Sequence, residues 1–217
     1  MKSVLGFLRE LQKNNNRDWF KANKNRYDSA REDFLVLVDK FIKGIVRFDP
    51  EMAGTNAADC VFRIYRDIRF SDDKTPYKTA FGASMQPGGR TCGIPGYYVN
   101  ISPGNCFLAG GAYMPPAPEL KKIRDRIAGD LKGFRKIVEA KKFKELFGEL
   151  AGEKLKTAPK GFPKDHEAIE YLRYKGFAAY HDKVSEKLAI SPDFVKYGLN
   201  VFKAMAPLNF YMRKAMK

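Results

Sequence analysis

The sequence predicts an α+β fold in which helices from both ends of the chain pack against an antiparallel sheet. Apolar residues recur at helical spacing before residue 50 and again after residue 115. Between residues 61 and 112 they alternate with a period of two, and turns rich in Gly and Pro separate the runs. Strands joined by short turns pair antiparallel. We therefore expect a sheet of about four to five strands, a meander after residue 60, in one α+β domain spanning residues 1–217.

Two helices are predicted before residue 50. Apolar residues at helical spacing indicate the first, which should end at the break Asn14-Asn15-Asn16. The second is expected to begin near Asn16, to be kinked near Asn23 and to end at Asp49-Pro50. Its apolar stripe comprises Phe20, Tyr27, Ala30, Phe34, Leu37, Phe41 and Ile45.

Four runs with a period of two predict strands at residues 61–70, 81–85, 97–101 and 106–112. The first run contains a contradiction, because Arg66 shares a face with apolar residues such as Ile64 and Ile68. Arg66 is therefore expected to be buried and paired, or the strand to end or bulge near Asp67.

The rest of the chain is predicted to be mainly helical. Pro115, Pro116 and Pro118 should end the sheet and open a helical region that runs to about residue 147. A loop at 156–164, a short helix at 165–172 and a last strand at 177–181 follow. Ser191-Pro192-Asp193 has the residue order that favours the start of a helix, so we expect a final helix from there.

Composition excludes some classes of protein and leaves others open. The 217 residues carry a net charge of +15, but residues 1–80, 81–150 and 151–217 contribute +4, +5 and +6. This even spread argues against a dedicated nucleic-acid-binding face. No apolar run approaches the roughly 20 residues of a membrane span, and the N-terminus does not resemble a signal peptide, so we expect a cytoplasmic protein. Three cysteines without CxxC spacing favour neither a disulfide framework nor a zinc site.

The most informative stretch is residues 63–78, which we call the 63–78 segment. It concentrates cations, carboxylates and tyrosines within sixteen positions. The candidate anion-binding residues are Arg63, Arg66, Arg69, Lys74, Tyr77 and Lys78, with Asp67 and Asp73 in supporting roles. Arginine grips phosphate or carboxylate with a planar fork, and lysine adds a point charge.

Three interpretations of the 63–78 segment remain open. In the first, it binds a small anionic ligand that carries phosphate, as a binding module or as an enzyme of unknown reaction. In the second, Asp67 and Asp73 neutralise Arg66 and Arg69, and the network only stabilises a protein-interaction or scaffold domain. In the third, the cations gather on one face that binds nucleic acid irrespective of sequence.

Other groups that carry chemistry give weaker signals. His166 and His181 have no motif spacing, and Cys92 has no histidine close in sequence, so we assign no catalytic residue. Magnesium binding by Asp67, Asp72 and Asp73 is disfavoured by the surrounding arginines. No metal or cofactor is predicted.

The 63–78 segment, which reads RIYRDIRFSDDKTPYK, resembles the signature of the domain of unknown function 2461 family, found in bacteria and fungi. Further blocks resemble the same family in the same order: NNRDWFKANKNRY at 15–27, YYVNISP at 97–103, GGAYMP at 110–115 and APKGFPKDH at 158–166. The resemblance implies one α+β domain and carries over no catalytic residue. The chain departs from it at Ala80, where relatives are expected to carry a polar residue, often His.

Overall fold

The computed structural model describes residues 1–217 and begins with three helices: α1 (Lys2–Lys13), α2 (Arg17–Ala22) and α3 (Lys24–Ile45). The predicted second helix is divided at Asn23, where we expected a kink. Asn16 caps α2, because its side-chain oxygen accepts the backbone N–H of Trp19 at 2.9 Å. A 3₁₀ turn (Pro50–Met52) and the short helix α4 (Ala57–Cys60) follow α3.

The predicted strand at residues 61–70 is wrong. This stretch makes only two isolated bridges, Val61 with Ala83 and Tyr65 with Tyr77. The 63–78 segment instead folds back on itself: the N–H of Arg66 donates to Pro76 at 2.9 Å, and that of Lys78 donates to Ile64 at 2.7 Å. Aspartate side chains within it also accept backbone N–H groups, which competes with strand pairing.

Four strands form one antiparallel sheet in the order β1-β2-β3-β4. They are β1 (Phe81–Met85), β2 (Gly96–Ile101), β3 (Cys106–Ala112) and β4 (Phe177–Val184). The three later runs of the predicted meander are therefore confirmed. The last strand extends to Val184, beyond the predicted end at residue 181.

Helices fill the connection between β3 and β4 and complete the chain. They are α5 (Ala117–Gly129), α6 (Leu131–Val138), α7 (Lys141–Phe147), α8 (Ile169–Leu172), α9 (Glu186–Ala189) and α10 (Phe194–Met216). The final helix begins two residues after Pro192, and Asp193 occupies its N-cap without a side-chain hydrogen bond. No helix combines the length and the apolar character that crossing a bilayer would require.

One face of the sheet packs against α3 and α10 and forms the core. Alternate strand residues such as Phe81, Tyr97 and Leu108 are buried on this inner face. The approach of α10 to α3 depends on Gly198, because a Cβ there would lie 2.6 Å from the ring of Phe41. The α+β architecture with N- and C-terminal helices is as predicted.

A buried ion pair closes the core at one end. The Arg213 guanidinium, on α10, lies 2.9 Å from the Asp49 carboxylate, and both side chains are almost fully buried. Tyr97 donates its hydroxyl to Asp49 at 2.8 Å, and Arg213 also donates to the carbonyl of Pro95 at 2.8 Å. Burial, and next the charge of Asp49, raises the pKa of Tyr97, which keeps this hydroxyl a donor.

We expect Arg213→Met to lower the free energy of unfolding by about 3–5 kcal/mol, because it leaves the Asp49 charge buried without its partner. Urea denaturation measures the loss. Lys43→Met is the matched control: Lys43 pairs with Asp39 on the surface of α3, and the cost should stay under about 1 kcal/mol. Equal losses in the two variants would contradict the assigned importance of the buried pair.

Candidate anion site

The N-terminal helices hold the 63–78 segment in place. Asn15 accepts the backbone N–H of Tyr77 at 3.1 Å and donates to its carbonyl at 2.9 Å. The ring of Phe20 stacks on that of Tyr77 with centroids 4.0 Å apart. Tyr77 is therefore a buried anchor, 6% exposed, and its side chain faces the protein. Asn15 lies in the block 15–27, but nothing in the sequence indicates this contact.

Arg66 and Asp73 close the loop at the middle of the segment. The Arg66 guanidinium pairs with Asp73, donates to Thr75 and reaches the Ser71 hydroxyl at 3.3 Å. The N–H of Thr75 donates to Asp73 at 2.9 Å. This N–H first, and then Arg66, lowers the pKa of Asp73 to about 2. Arg66 is paired but only half-buried, so the expectation of a buried and paired Arg66 is met for the pairing and not for full burial.

Arg69 and Asp67 form a second local pair, exposed to solvent. Two nitrogens of the Arg69 guanidinium lie 2.9 and 2.7 Å from the two carboxylate oxygens of Asp67. The side-chain hydrogen bond from Arg69 lowers the pKa of Asp67. Such an exposed pair adds little stability. The Arg69 guanidinium is therefore already hydrogen-bonded to a carboxylate of its own chain.

Arg63, Lys78 and Arg90 form the cation cluster, in which no member has a carboxylate within 4 Å. Lys78 donates to the carbonyl of Arg63 at 3.0 Å, and its Nζ lies 5.5 Å from the centroid of the Phe62 ring. The Arg90 guanidinium lies 5.8 Å from the same centroid and donates to the carbonyl of Asp59 at 3.0 Å. Burial first, then the charges of Arg63 and Arg90, lowers the pKa of Lys78.

Arg90 was missed by sequence reasoning. It follows Gly88-Gly89 in the turn before β2, and nothing in its local sequence indicates a ligand. Its backbone N–H donates to the carbonyl of Asp59 at 3.2 Å, which brings the turn against the end of α4. Tertiary contacts with Asp59 and Phe62 place Arg90 beside Lys78.

Lys74 lies in a different place from the cation cluster. It borders an open cleft of about 500 Å³ whose lining residues are Asn15, Asn16, Arg17, Ile68, Asp73, Lys74, Thr75 and Pro76. Lys74 donates to the carbonyl of Ile68 at 3.2 Å. The six candidate residues therefore do not converge: Arg63 and Lys78 meet, Arg66 and Arg69 are paired, Lys74 faces the cleft and Tyr77 is buried.

The histidines have separate surroundings. His181 is buried, with Nδ1 2.8 Å from the carbonyl of Leu146 and Nε2 2.6 Å from the hydroxyl of Tyr197. Because a carbonyl only accepts, Nδ1 donates its N–H to Leu146, and Nε2 forms a second hydrogen bond with the Tyr197 hydroxyl. His166 accepts the backbone N–H of Ala168 at 3.0 Å. These contacts give both rings local structural roles.

We expect Asp73→Asn to lower the free energy of unfolding most at neutral pH. The difference between variant and wild type in that free energy should shrink as the pH falls from about 4 to 2. The folded-state pKa of Asp73 is depressed, so its contribution to stability is present above the unfolded-state value of about 3.9. That contribution is lost as the pH falls through the folded value of about 2. Denaturant midpoints across this range measure it. Asp72→Asn is the control, since Asp72 forms no ion pair, and a parallel profile for both variants would contradict the role given to Asp73.

The comparisons with known proteins agree with the resemblance of the 63–78 segment. No curated protein and no solved structure matches the chain. A family model described as a conserved hypothetical protein (DUF2461) matches residues 3–211. The match includes the helices that anchor the segment, the whole sheet and most of α10. The chain therefore belongs to the DUF2461 family.

Proposed function

We propose that this protein binds a small phosphate-bearing anion at the cation cluster of Arg63, Lys78 and Arg90. The observation that carries the proposal is the absence of any carboxylate within 4 Å of three neighbouring cations. Two other cations of the same segment, Arg66 and Arg69, have such partners. The protein therefore separates cations that hold the loop from cations that remain available.

The chemistry of the cluster suits phosphate. Arg63 and Arg90 each offer a guanidinium fork, and Lys78 adds a point charge with donors beyond the one used on the Arg63 carbonyl. Like charges close together are unfavourable, and after burial the charges of Arg63 and Arg90 also lower the pKa of Lys78. A bound dianion would reverse that repulsion. Hydrogen bonds to charged groups contribute about 1.5–3 kcal/mol each, which corresponds to roughly 10- to 150-fold in affinity.

The fixed loop supports the same function. Asn15 clamps Tyr77, the residue before Lys78, through two hydrogen bonds, and Arg66 ties the loop to Asp73. Lys78 is therefore held before a ligand arrives, which reduces the entropy lost on binding. In this proposal Arg66, Asp73 and Tyr77 position the site, and Arg69 and Lys74 do not contact the anion.

A protein-interaction role is the second candidate, and one observation favours it. Phe70, at the tip of the 63–78 segment, is 96% exposed. An exposed aromatic ring is a side chain that a partner protein could bury, and aromatic residues are frequent anchors in interfaces. Phe70→Ser should leave anion binding unchanged, so the two roles can be tested separately.

In a thermal-shift screen of pyrophosphate, nucleotides and sugar phosphates, we expect at least one compound to stabilise the wild type. Titration calorimetry with that compound should show a loss of about tenfold or more in affinity for Arg63→Gln, Lys78→Gln and Arg90→Gln. Arg69→Gln is the matched control, because Arg69 is paired with Asp67, and its affinity should remain within about twofold. If no compound stabilises the wild type, or if Arg69→Gln loses as much as the others, the proposed site is wrong.

The pKa of Lys78 gives an independent test. We expect saturating pyrophosphate to raise it, because negative charge near the ammonium favours the protonated form. Arg90→Gln in the absence of ligand should raise it as well, since the charge of Arg90 lowers it in the wild type. Carbon-detected NMR titration of the lysine side chains measures both shifts. Arg69→Gln should not change this pKa, and an unchanged value with pyrophosphate bound would place the anion elsewhere.

A further inference from the structure

The outer face of the sheet, opposite the helices, carries a row of aromatic side chains. Along β3 and β4, residues alternate between the buried inner face and this outer face, so that Phe107 and Tyr180 point outward. On β2, Tyr98 is half-buried on the same face. Phe62 extends the row beyond β1, because its N–H donates to the carbonyl of Gly82 at 3.0 Å. We call these four residues the aromatic stripe.

The rings of the aromatic stripe contact one another in sequence across the sheet. The ring centroids of Phe62 and Tyr98 are 6.2 Å apart, those of Tyr98 and Phe107 5.6 Å, and those of Phe107 and Tyr180 4.7 Å. Phe62 and Tyr180, at the two ends, are 39% and 37% exposed. The stripe is therefore a continuous aromatic surface that solvent reaches.

Small residues beneath the rings let Tyr98 lie across the sheet. A Cβ at Gly82 would lie 2.4 Å from the hydroxyl of Tyr98, so only glycine leaves room for the ring in this position. Gly82 has no unusual backbone dihedral angle to explain its presence. On the neighbouring strand, Ala109 lies opposite both Tyr98 and Tyr180. The position of Tyr98 in the aromatic stripe thus depends on small neighbouring residues, and successive rings are tilted against each other by 61°, 34° and 43°.

Charge is distributed unevenly along the aromatic stripe. Lys78 and Arg90 of the cation cluster both lie within 6 Å of the Phe62 ring centroid. At the opposite end, burial first and then the charge of the nearby Asp182 carboxylate raise the pKa of the Tyr180 phenol. A ligand on this face therefore meets positive charge at the Phe62 end and aromatic surface along its length.

We propose that the aromatic stripe and the cation cluster together bind single-stranded nucleic acid, with phosphates on the cations and bases stacked on the rings. This rests on the proposed function, since the phosphate-binding residues are the same. Aromatic surfaces beside a positive groove bind single strands without sequence preference, because every base has a π-face to stack. The even spread of charge along the sequence argued against a basic face, and folding creates this one by bringing Arg90 to Lys78.

The length of the aromatic stripe, four rings across the sheet, favours an oligonucleotide over a mononucleotide. A mononucleotide would cover one or two rings and leave the others exposed, whereas successive bases of an oligonucleotide can each meet a ring. A duplex keeps its bases stacked on each other and does not offer their faces. A protein partner would have to place carboxylates opposite the three cations as well as cover the apolar surface, whereas a single strand carries phosphates and base faces along one chain.

The test is fluorescence anisotropy of the full chain with a labelled oligodeoxythymidylate of eight nucleotides. We expect Phe62→Leu, Phe107→Leu and Tyr180→Leu each to weaken binding at least about fivefold, because leucine keeps apolar area but offers no ring. Phe210→Leu is the matched control, because Phe210 is an exposed phenylalanine on α10, the helix that packs on the inner face of the sheet. This substitution should not change oligonucleotide affinity. The log affinity should fall with log salt at a slope of about −2, as expected for three phosphate contacts to a single strand.

Gly82→Ala provides a variant that retains every aromatic and cationic side chain. It should push the Tyr98 ring from its position and weaken oligonucleotide binding, while pyrophosphate binding at the cation cluster stays unchanged. Circular dichroism and a thermal melt establish that the variant folds.

The outcomes separate this inference from the proposed function. If pyrophosphate binds but the stripe substitutions leave oligonucleotide affinity unchanged, the stacking surface is wrong and the anion site stands. If a duplex of the same length binds as tightly as the single strand, the inference is also overturned. Sedimentation experiments test a third outcome. If the wild type dimerises with rising concentration and Phe62→Leu abolishes the dimer, the outer face binds a second copy of the chain and the inference is overturned.

Discussion

The buried pair between Asp49 and Arg213 is the constraint on which the arrangement of the sheet and its helices depends. Removing two charges from water costs several kcal/mol per ion, and only close pairing with further hydrogen bonds repays it. Here Tyr97 donates to Asp49, and Arg213 also donates to the carbonyl of Pro95. These partners belong to the connection after α3, to the start of β2 and to the last helix. The pair therefore joins parts of the chain that are far apart in sequence, and its hydrogen bonds fix their relative positions.

The same contact determines what the outer face presents. Side chains alternate along a strand, so a shift of register by one residue would move every side chain to the other face. The hydroxyl of Tyr97 holds that residue inward on Asp49, which directs Tyr98 outward over Gly82. The aromatic stripe is thus coupled to the core through a single strand. The 63–78 segment is coupled to the same body by Asn15, through its two hydrogen bonds to Tyr77.

Periodicity predicted the elements that are stabilised by burial of one face. The strands at 81–85, 97–101 and 106–112 alternate because one side packs on the helices, and that alternation is visible in the sequence. The run at 61–70 alternates as well, but Asp67 and Pro76 offer its backbone local partners, which no hydrophobic pattern reveals. Arg213 is one of several cations near the C-terminus, and Arg90 follows a glycine turn. Their roles arise from contacts across the fold, so neither could be identified from spacing.

Asp59 gives the clearest indication that the positive charge of the cation cluster is not an accident of composition. It is the acidic residue that contacts Arg90, yet it does so through its backbone carbonyl, at 3.0 Å from the guanidinium and 3.2 Å from the backbone N–H. Its carboxylate forms no ion pair within 4 Å. In the adjoining loop, by contrast, Asp67 and Asp73 each neutralise an arginine. The Asp59 carboxylate, close to the cluster, is left unpaired while those of Asp67 and Asp73 are paired, which agrees with the proposal that a ligand supplies the balancing negative charge.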